Sequence, residues 1–168
     1  KGVGVLIDAE ETWIQDPIDR LAIELMSVYN KEKVVVYNTY QLYRHDRLRF
    51  LQMSHSIAKD KQFILGAKLV RGAYMEKERE RAQKNGYASP IHENKEAVDT
   101  DFNKAVDYCL QNIDSIALLL ASHNEHSNQL AMQTMQNKQI ENNHPRIHFS
   151  QLYGMSDHIT FNMAEAGY

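Results

Sequence analysis

Short apolar or β-branched runs recur along this chain with a helical pattern between each pair, and no other feature constrains the fold as much. The runs are Val3–Ile7, Val34–Tyr37, Phe63–Val70, Ile116–Ala121 and Ile147–Leu152. Strands that alternate with helices pair in parallel, which predicts an α/β fold. The helix signals fit between them. Asp16-Pro17 reads as a helix start, with Ile18, Leu21, Ala22, Leu25 and Met26 at helical spacing behind it. An amphipathic stretch runs from about Tyr40 to Lys59. The third run is followed by two helices, about Met75–Lys84 closed by Asn85-Gly86, and about Asn94–Gln111. One more helix ends near Asn137 and another begins near Asp157. No linker is long or Pro/Gly-rich enough to divide residues 1–168, so they read as one unit. Five strand–helix units of about 33 residues fall three short of the eight that close a (β/α)₈ barrel of roughly 250 residues. The expectation is a partial TIM-type barrel covering five central units.

The polar residues stand in one phase with the runs. Asp8, Asn38, Arg71, Ser122-His123 and Gln151 each follow or close an apolar stretch. Barrels and open α/β sheets both place their chemistry at the carboxyl ends of parallel strands. Other classes fit poorly. Net charge is −3, and the basic residues of Tyr40–Arg49 and Glu76–Lys84 alternate with acids, so no nucleic-acid patch is expected. No apolar run approaches the roughly 18 residues of a membrane span. A single cysteine, Cys109, forms no internal disulfide framework and sits at a core position beside Val106 and Leu110.

Within the strand-end clusters, Lys68-Leu-Val-Arg71-Gly72-Ala73-Tyr74 is the most unusual. Alternate strand residues share a face, so Lys68 shares that of Val70 inside an apolar run. A lysine there is costly unless paired or functional; the other reading is an edge strand whose lysine snorkels to water. Gly72 would let a ligand approach the backbone. A cation beside exposed N–H groups suits an anionic or electron-rich cofactor. Asp8-Ala-Glu-Glu11 offers three carboxylates, as a site acid or as a helix-start cluster. His123 could bind a cofactor, move a proton or, with Asp8, ligate a metal for hydrolase or aldolase chemistry, while Ser122 and Asn124 could cap the next helix. Most other histidines, among them His45, His55 and His148, read as surface residues. There is no G-x-G-x-x-G after the first strand and no phosphate loop.

The segments Ile7-Asp-Ala-Glu-Glu11, Tyr37-Asn-Thr-Tyr-Gln41, Gly66-Ala-Lys-Leu-Val-Arg-Gly-Ala-Tyr74, Ala121-Ser-His-Asn124 and Phe149-Ser-Gln-Leu-Tyr-Gly-Met155 together resemble the proline dehydrogenase family, in its order and across the whole chain. The resemblance implies a distorted (β/α)₈ barrel holding FAD at the strand ends. It also implies oxidation of L-proline to Δ1-pyrroline-5-carboxylate, with electrons passed to a membrane quinone. The implied location is the inner membrane, reached from the cytoplasm in a bacterium or within the mitochondrion in a eukaryote. Catalytic positions then fall on Asp8, Lys68 and Tyr74. FAD-binding positions fall on Ala9, Asn38, Lys68, Arg71, Gly72, Ala73, Ser122 and His123. By the same resemblance, Asn38 stands where many members carry glutamine and Lys68 where the bacterial members carry arginine; lysine keeps the charge and loses the planar fork. The family's substrate-site lysine on its first strand, and the Arg-Arg pair that grips the proline carboxylate, have no counterpart in these residues. The expectation is therefore a barrel whose missing strands come from a parent chain, and an isolated piece that is inactive.

Overall fold

The computed structural model describes residues 3–168. Among them, five strands alternate with six helices: β1 (Val5–Ile7), α1 (Thr12–Tyr29), β2 (Val36–Gln41), α2 (Arg47–Asp60), β3 (Leu65–Val70), α3 (Met75–Asn85), α4 (Lys95–Gln111), β4 (Ile116–Ala121), α5 (Glu125–Asn137), β5 (Ile147–Ser150) and α6 (Asp157–Glu165). All pairings are parallel, and the sheet order is the chain order. The sheet curls into half of a TIM-type barrel, as the strand–helix alternation predicts.

Strand alternation gives the two faces different jobs. Val36, Tyr40, Leu65, Ala67, Leu69, Ile116, Leu118, Leu120 and Ile147 point outward to the helices and form the core with Met26, Leu51, Phe102, Val106 and Met135. Cys109 is fully buried there, and burial holds its thiol protonated by raising its pKa. The concave face carries Thr39 and Lys68 in register, then Gln41 and Val70, then Ala121 and Ser150. Lys68 stands on β3, the middle strand, which removes the snorkelling edge-strand reading. Gly66 leaves no room for a side chain against β2: a Cβ there would lie 2.2 Å from the Val36 carbonyl oxygen.

Element boundaries differ from the sequence expectation, and at α1 and the β2–α2 junction the reason is long-range. Helix α1 starts at Thr12 rather than at Asp16-Pro17, and Pro17 lies inside it. The start is fixed by Glu78 of α3, fully buried, whose carboxylate accepts from Thr12 N (2.7 Å) and Thr12 Oγ1 (2.7 Å). An anion at a helix N-terminus satisfies orphan N–H groups and opposes the macrodipole. Strand β2 runs on to Gln41, and α2 begins only at Arg47 because Leu42 and Tyr43 donate backbone bonds to Val70 and Arg71. Strand β5 stops at Ser150. His55 is buried rather than at the surface, between Tyr108 Oη (2.8 Å) and Ser115 Oγ (2.7 Å).

Candidate active site

A cleft of about 700 Å³ opens at the carboxyl ends of the strands, within the size range of small-molecule and cofactor sites. Its floor is the concave face of β2 to β5, and its rim is made by the loops that follow β1, β3, β4 and β5. Asp8, Ala9, Lys68, Arg71, Gly72, Ala73, Tyr74, Ser122 and His123 all line it, together with Glu10, Thr39, Gln41 and Gln151. Residues separated by more than 100 positions in sequence thus meet in one place because each closes a parallel strand.

Lys68 reaches across β2 and forms an ion pair with Asp8, which is largely exposed while the lysine is mostly enclosed. That pair answers the cost of a cation inside the half-barrel and leaves the charge facing the cleft. On the same wall, Tyr74 donates its hydroxyl proton to Glu10 Oε2 (2.9 Å). The Glu10 hydrogen bond, then burial and the neighbouring carboxylates, raise the Tyr74 pKa, so the phenol stays protonated. Gln41 ties the β1 and β3 loops together. Its Nε2 donates to the Glu10 carbonyl (2.8 Å), and its Oε1 receives a longer bond from Ala73 N (3.4 Å).

Arg71 faces the cleft edge, but its guanidinium is turned to the helices. It donates to Asp99 Oδ1 (2.8 Å), Ser122 Oγ (2.8 Å) and Ser127 Oγ (2.9 Å), and stacks 4.3 Å over the Phe102 ring. Burial alone would raise the Asp99 pKa; bonds from Lys95 and Arg71 outweigh it and hold the carboxyl below its ordinary value. Arg71 therefore pins α4 and α5 beneath the β4 end and presents Ser122 and His123. The His123 imidazole is fixed from the β5 side, with Nδ1 3.2 Å from Ser156 Oγ and Leu152 N donating to Nε2 at 3.4 Å. Asn124 caps α5 through Ser127 N (2.9 Å), the capping role open to it from the sequence.

Two residues behave differently from the sequence expectation. Gly72 lines the cleft, yet its missing side chain answers Tyr43: at φ +133° a Cβ would fall 2.5 Å from the Tyr43 ring. Asn38 does not line the cleft. It is fully buried on the outward face, with Nδ2 donating to Asp19 Oδ1 (2.8 Å). Asp19 also binds Arg47 (2.7 Å) and Gln15 (3.0 Å), and Gln15 Oε1 accepts from Glu10 N (2.7 Å). Asn38 and Arg47 therefore hold the site loop from behind. The strand register puts Thr39 and Gln41, not Asn38, on the cleft side; continuing the period of two past Tyr37 would have found them. Glu78 and Asp19 carried no sequence signal, since their partners are remote in the chain.

The lining suits an electron-rich group: Lys68 brings a cation to a mostly apolar cleft, and Tyr74, Ser122 and His123 add polar groups around it. No cluster of three or more His, Cys, Asp or Glu that could hold a metal occurs among the described residues. Asp8 is paired to Lys68, and the His123 ring is held by Ser156 and Leu152.

Comparison with known proteins gives a consistent result. The family model for proline dehydrogenase matches residues 1–168. Mitochondrial proline dehydrogenase 1 of Drosophila melanogaster is 39% identical over 99% of this chain and 26% of its own length. The Homo sapiens protein of the same name is 37% identical over 99% of this chain and 28% of its own length. A hydroxyproline dehydrogenase of Xenopus laevis is 36% identical over 99% of this chain and 36% of its own length. The chain thus spans about a quarter to a third of these relatives. Among solved structures, proline utilization A (PutA) from Bdellovibrio bacteriovorus, inactivated by N-propargylglycine, superposes with TM-score 0.92 at 25% identity, over 99% of this chain and 17% of that one.

Proposed function

The chain belongs to the proline dehydrogenase family, and from that premise we propose that it forms the flavin-facing part of a cleft in which a longer protein oxidises L-proline to Δ1-pyrroline-5-carboxylate. The observation that carries the reading is Lys68, a lysine on the middle strand of the half-barrel, held by Asp8 and facing a cleft at the strand ends. Proline oxidation removes two electrons and two protons across a C–N bond, and FAD, when bound, accepts the electron pair that a membrane quinone takes in turn.

Ala9, Lys68, Gly72, Ala73, Ser122 and His123 would hold the flavin, and Arg71 holds the Ser122–His123 rim in place. Asn38 supports the strand from the outward face. Lys68 keeps positive charge where electron density gathers, and Asp8 keeps that lysine oriented. Tyr74 closes the β3 side of the cleft and shields it from water. The sheet edges at β1 and β5, unpaired among the described residues, and the length of the relatives support a barrel completed by further strands of the parent chain, where the groups that grip the substrate carboxylate would lie. Relatives named as mitochondrial support a location at the mitochondrial inner membrane in a eukaryotic source, or on the cytoplasmic face of the membrane in a bacterial one.

The test uses the full-length protein. Reconstitution with FAD should give a yellow protein that reduces a quinone analogue when L-proline is added. Lys68→Met should lower kcat by more than tenfold with the flavin still bound. A protein that stays colourless after reconstitution contradicts the proposal. Activity with 4-hydroxyproline but not proline would redirect it toward the second substrate.

A further inference from the structure

The structure assigns Glu10 as the positioning residue for Tyr74, a role that rests on the cleft being the substrate and cofactor site. Three polar groups of Glu10 are each tied to a different element. Its backbone N–H donates to Gln15 Oε1 on α1 (2.7 Å), its carbonyl accepts from Gln41 Nε2 on β2 (2.8 Å), and its carboxylate accepts the Tyr74 hydroxyl proton (2.9 Å). Behind it, Gln15 is buried and bound to Asp19, itself held by Arg47 and Asn38. The carboxylate therefore sits on a rigid support that reaches the core. Tyr74 is the last residue before α3, and its ring lies 5.9 Å from Lys77 Nζ. Glu10 is what holds its hydroxyl. A rigid acceptor converts an aromatic side chain with two rotatable bonds into part of a preformed wall, and a preformed wall is what raises affinity without new contacts.

The charge also sets what Tyr74 offers. With its proton donated to Glu10, the hydroxyl presents its oxygen lone pairs to the cleft as an acceptor. A substrate ammonium or secondary amine N–H is the group such an oxygen would receive, and a carboxylate is the group it would turn away. The Glu10–Tyr74 pair therefore orients the nitrogen end of an amino-acid substrate toward the β3 wall.

The experiment is a double-mutant cycle in the full-length, FAD-loaded protein, with Glu10→Ala, Glu10→Gln, Tyr74→Phe and Glu10→Ala/Tyr74→Phe. Loss of a hydrogen bond to a charged group predicts a KM for proline raised about tenfold in Glu10→Ala, with flavin content and thermal midpoint close to wild type. Glu10→Gln, which keeps an acceptor oxygen at the same place, should recover most of the loss. In the Tyr74→Phe background Glu10→Ala should add nothing, because the two act as a unit. Additive losses, or a Glu10→Ala enzyme with unchanged KM, overturn the assignment. A second readout separates this from failure of the functional reading. The tyrosinate absorbance of Tyr74, isolated by difference from Tyr74→Phe, should ionise at lower pH once Glu10 is alanine, whether or not the protein oxidises proline. An unshifted titration overturns the pairing itself.

Discussion

Replacing Glu78 by alanine should destabilise the protein by about 2–3 kcal/mol, although the residue lies on α3 and its effect falls on α1. The structure gives the terms. Glu78 is fully buried and makes two 2.7 Å bonds, to the backbone N–H and the hydroxyl of Thr12. A hydrogen bond to a charged group contributes roughly 1.5–3 kcal/mol, and loss of an N-terminal cap costs about 1 kcal/mol. These overlap, because both describe the same Thr12 N–H. Thr12 is also half-buried, so water can replace part of what is lost. About 2–3 kcal/mol is the result, equivalent to a Tm lower by roughly 5–10 °C in a unit of this size. Glu78→Gln supplies the control: an amide keeps one acceptor for the N–H while the Thr12 hydroxyl rotates to accept, so the cost should stay near 1 kcal/mol, chiefly the lost charge–dipole term. Urea unfolding of the full-length protein, followed by circular dichroism, measures both. A Glu78→Ala midpoint within about 0.5 kcal/mol of wild type, or a Glu78→Gln variant as unstable as the alanine, would falsify the cap assignment and leave the start of α1 at Thr12 unexplained.

Other consequences follow from the same contacts. Burial holds His55 neutral, its pKa pushed down to about 4 from 6.5. The unfolded chain therefore binds its proton first as pH falls. The His55 contribution is complete above pH 6.5 and is lost between about 6.5 and 4, by up to about 3 kcal/mol. Urea midpoints measured across that range should fall more steeply in wild type than in His55→Asn. Gly72→Ala drives a methyl into the Tyr43 ring and forces a positive φ on alanine, costing about 1–3 kcal/mol or more; adding Tyr43→Ala should not restore wild-type stability but should remove the steric share, visible as a non-additive double mutant. Arg71→Lys keeps one of the bonds to Asp99, Ser122 and Ser127 and loses the fork. FAD affinity, read by fluorescence titration, should fall at least tenfold through the displaced Ser122–His123 rim.

The fold was legible wherever its cause was local. Strand β4 lies at Ile116–Ala121, where the apolar run alone places it, and α3 ends at Asn85 because Gly86 adopts the left-handed conformation that stops a helix. Lys68 could be singled out because period-two alternation sets its charge against an apolar strand face. The sequence reading failed where a partner was remote. Thr12 begins α1 because of a carboxylate 66 positions away. Leu42 and Tyr43 look like part of an amphipathic helix but are claimed by the backbone at the end of β3 and just beyond it. The β-branched run stops at Tyr37, so it does not show that β2 continues to Gln41; once it does, the alternation sets Asn38 toward the helices and Gln41 toward the cleft. His55 carries no mark of burial in its neighbours Ser54 and Ser56; Tyr108 and Ser115 satisfy it from across the fold.

The most direct measurement is anaerobic mixing of L-proline with the full-length protein after FAD loading, followed in the flavin absorbance bands. The predicted result is bleaching that saturates with proline in wild type and is slowed more than tenfold in Lys68→Met, with both proteins holding flavin. A wild-type protein that binds FAD but shows no bleaching with proline, or a Lys68→Met variant reduced as fast as wild type, contradicts the role given to the cleft and to the lysine at its centre.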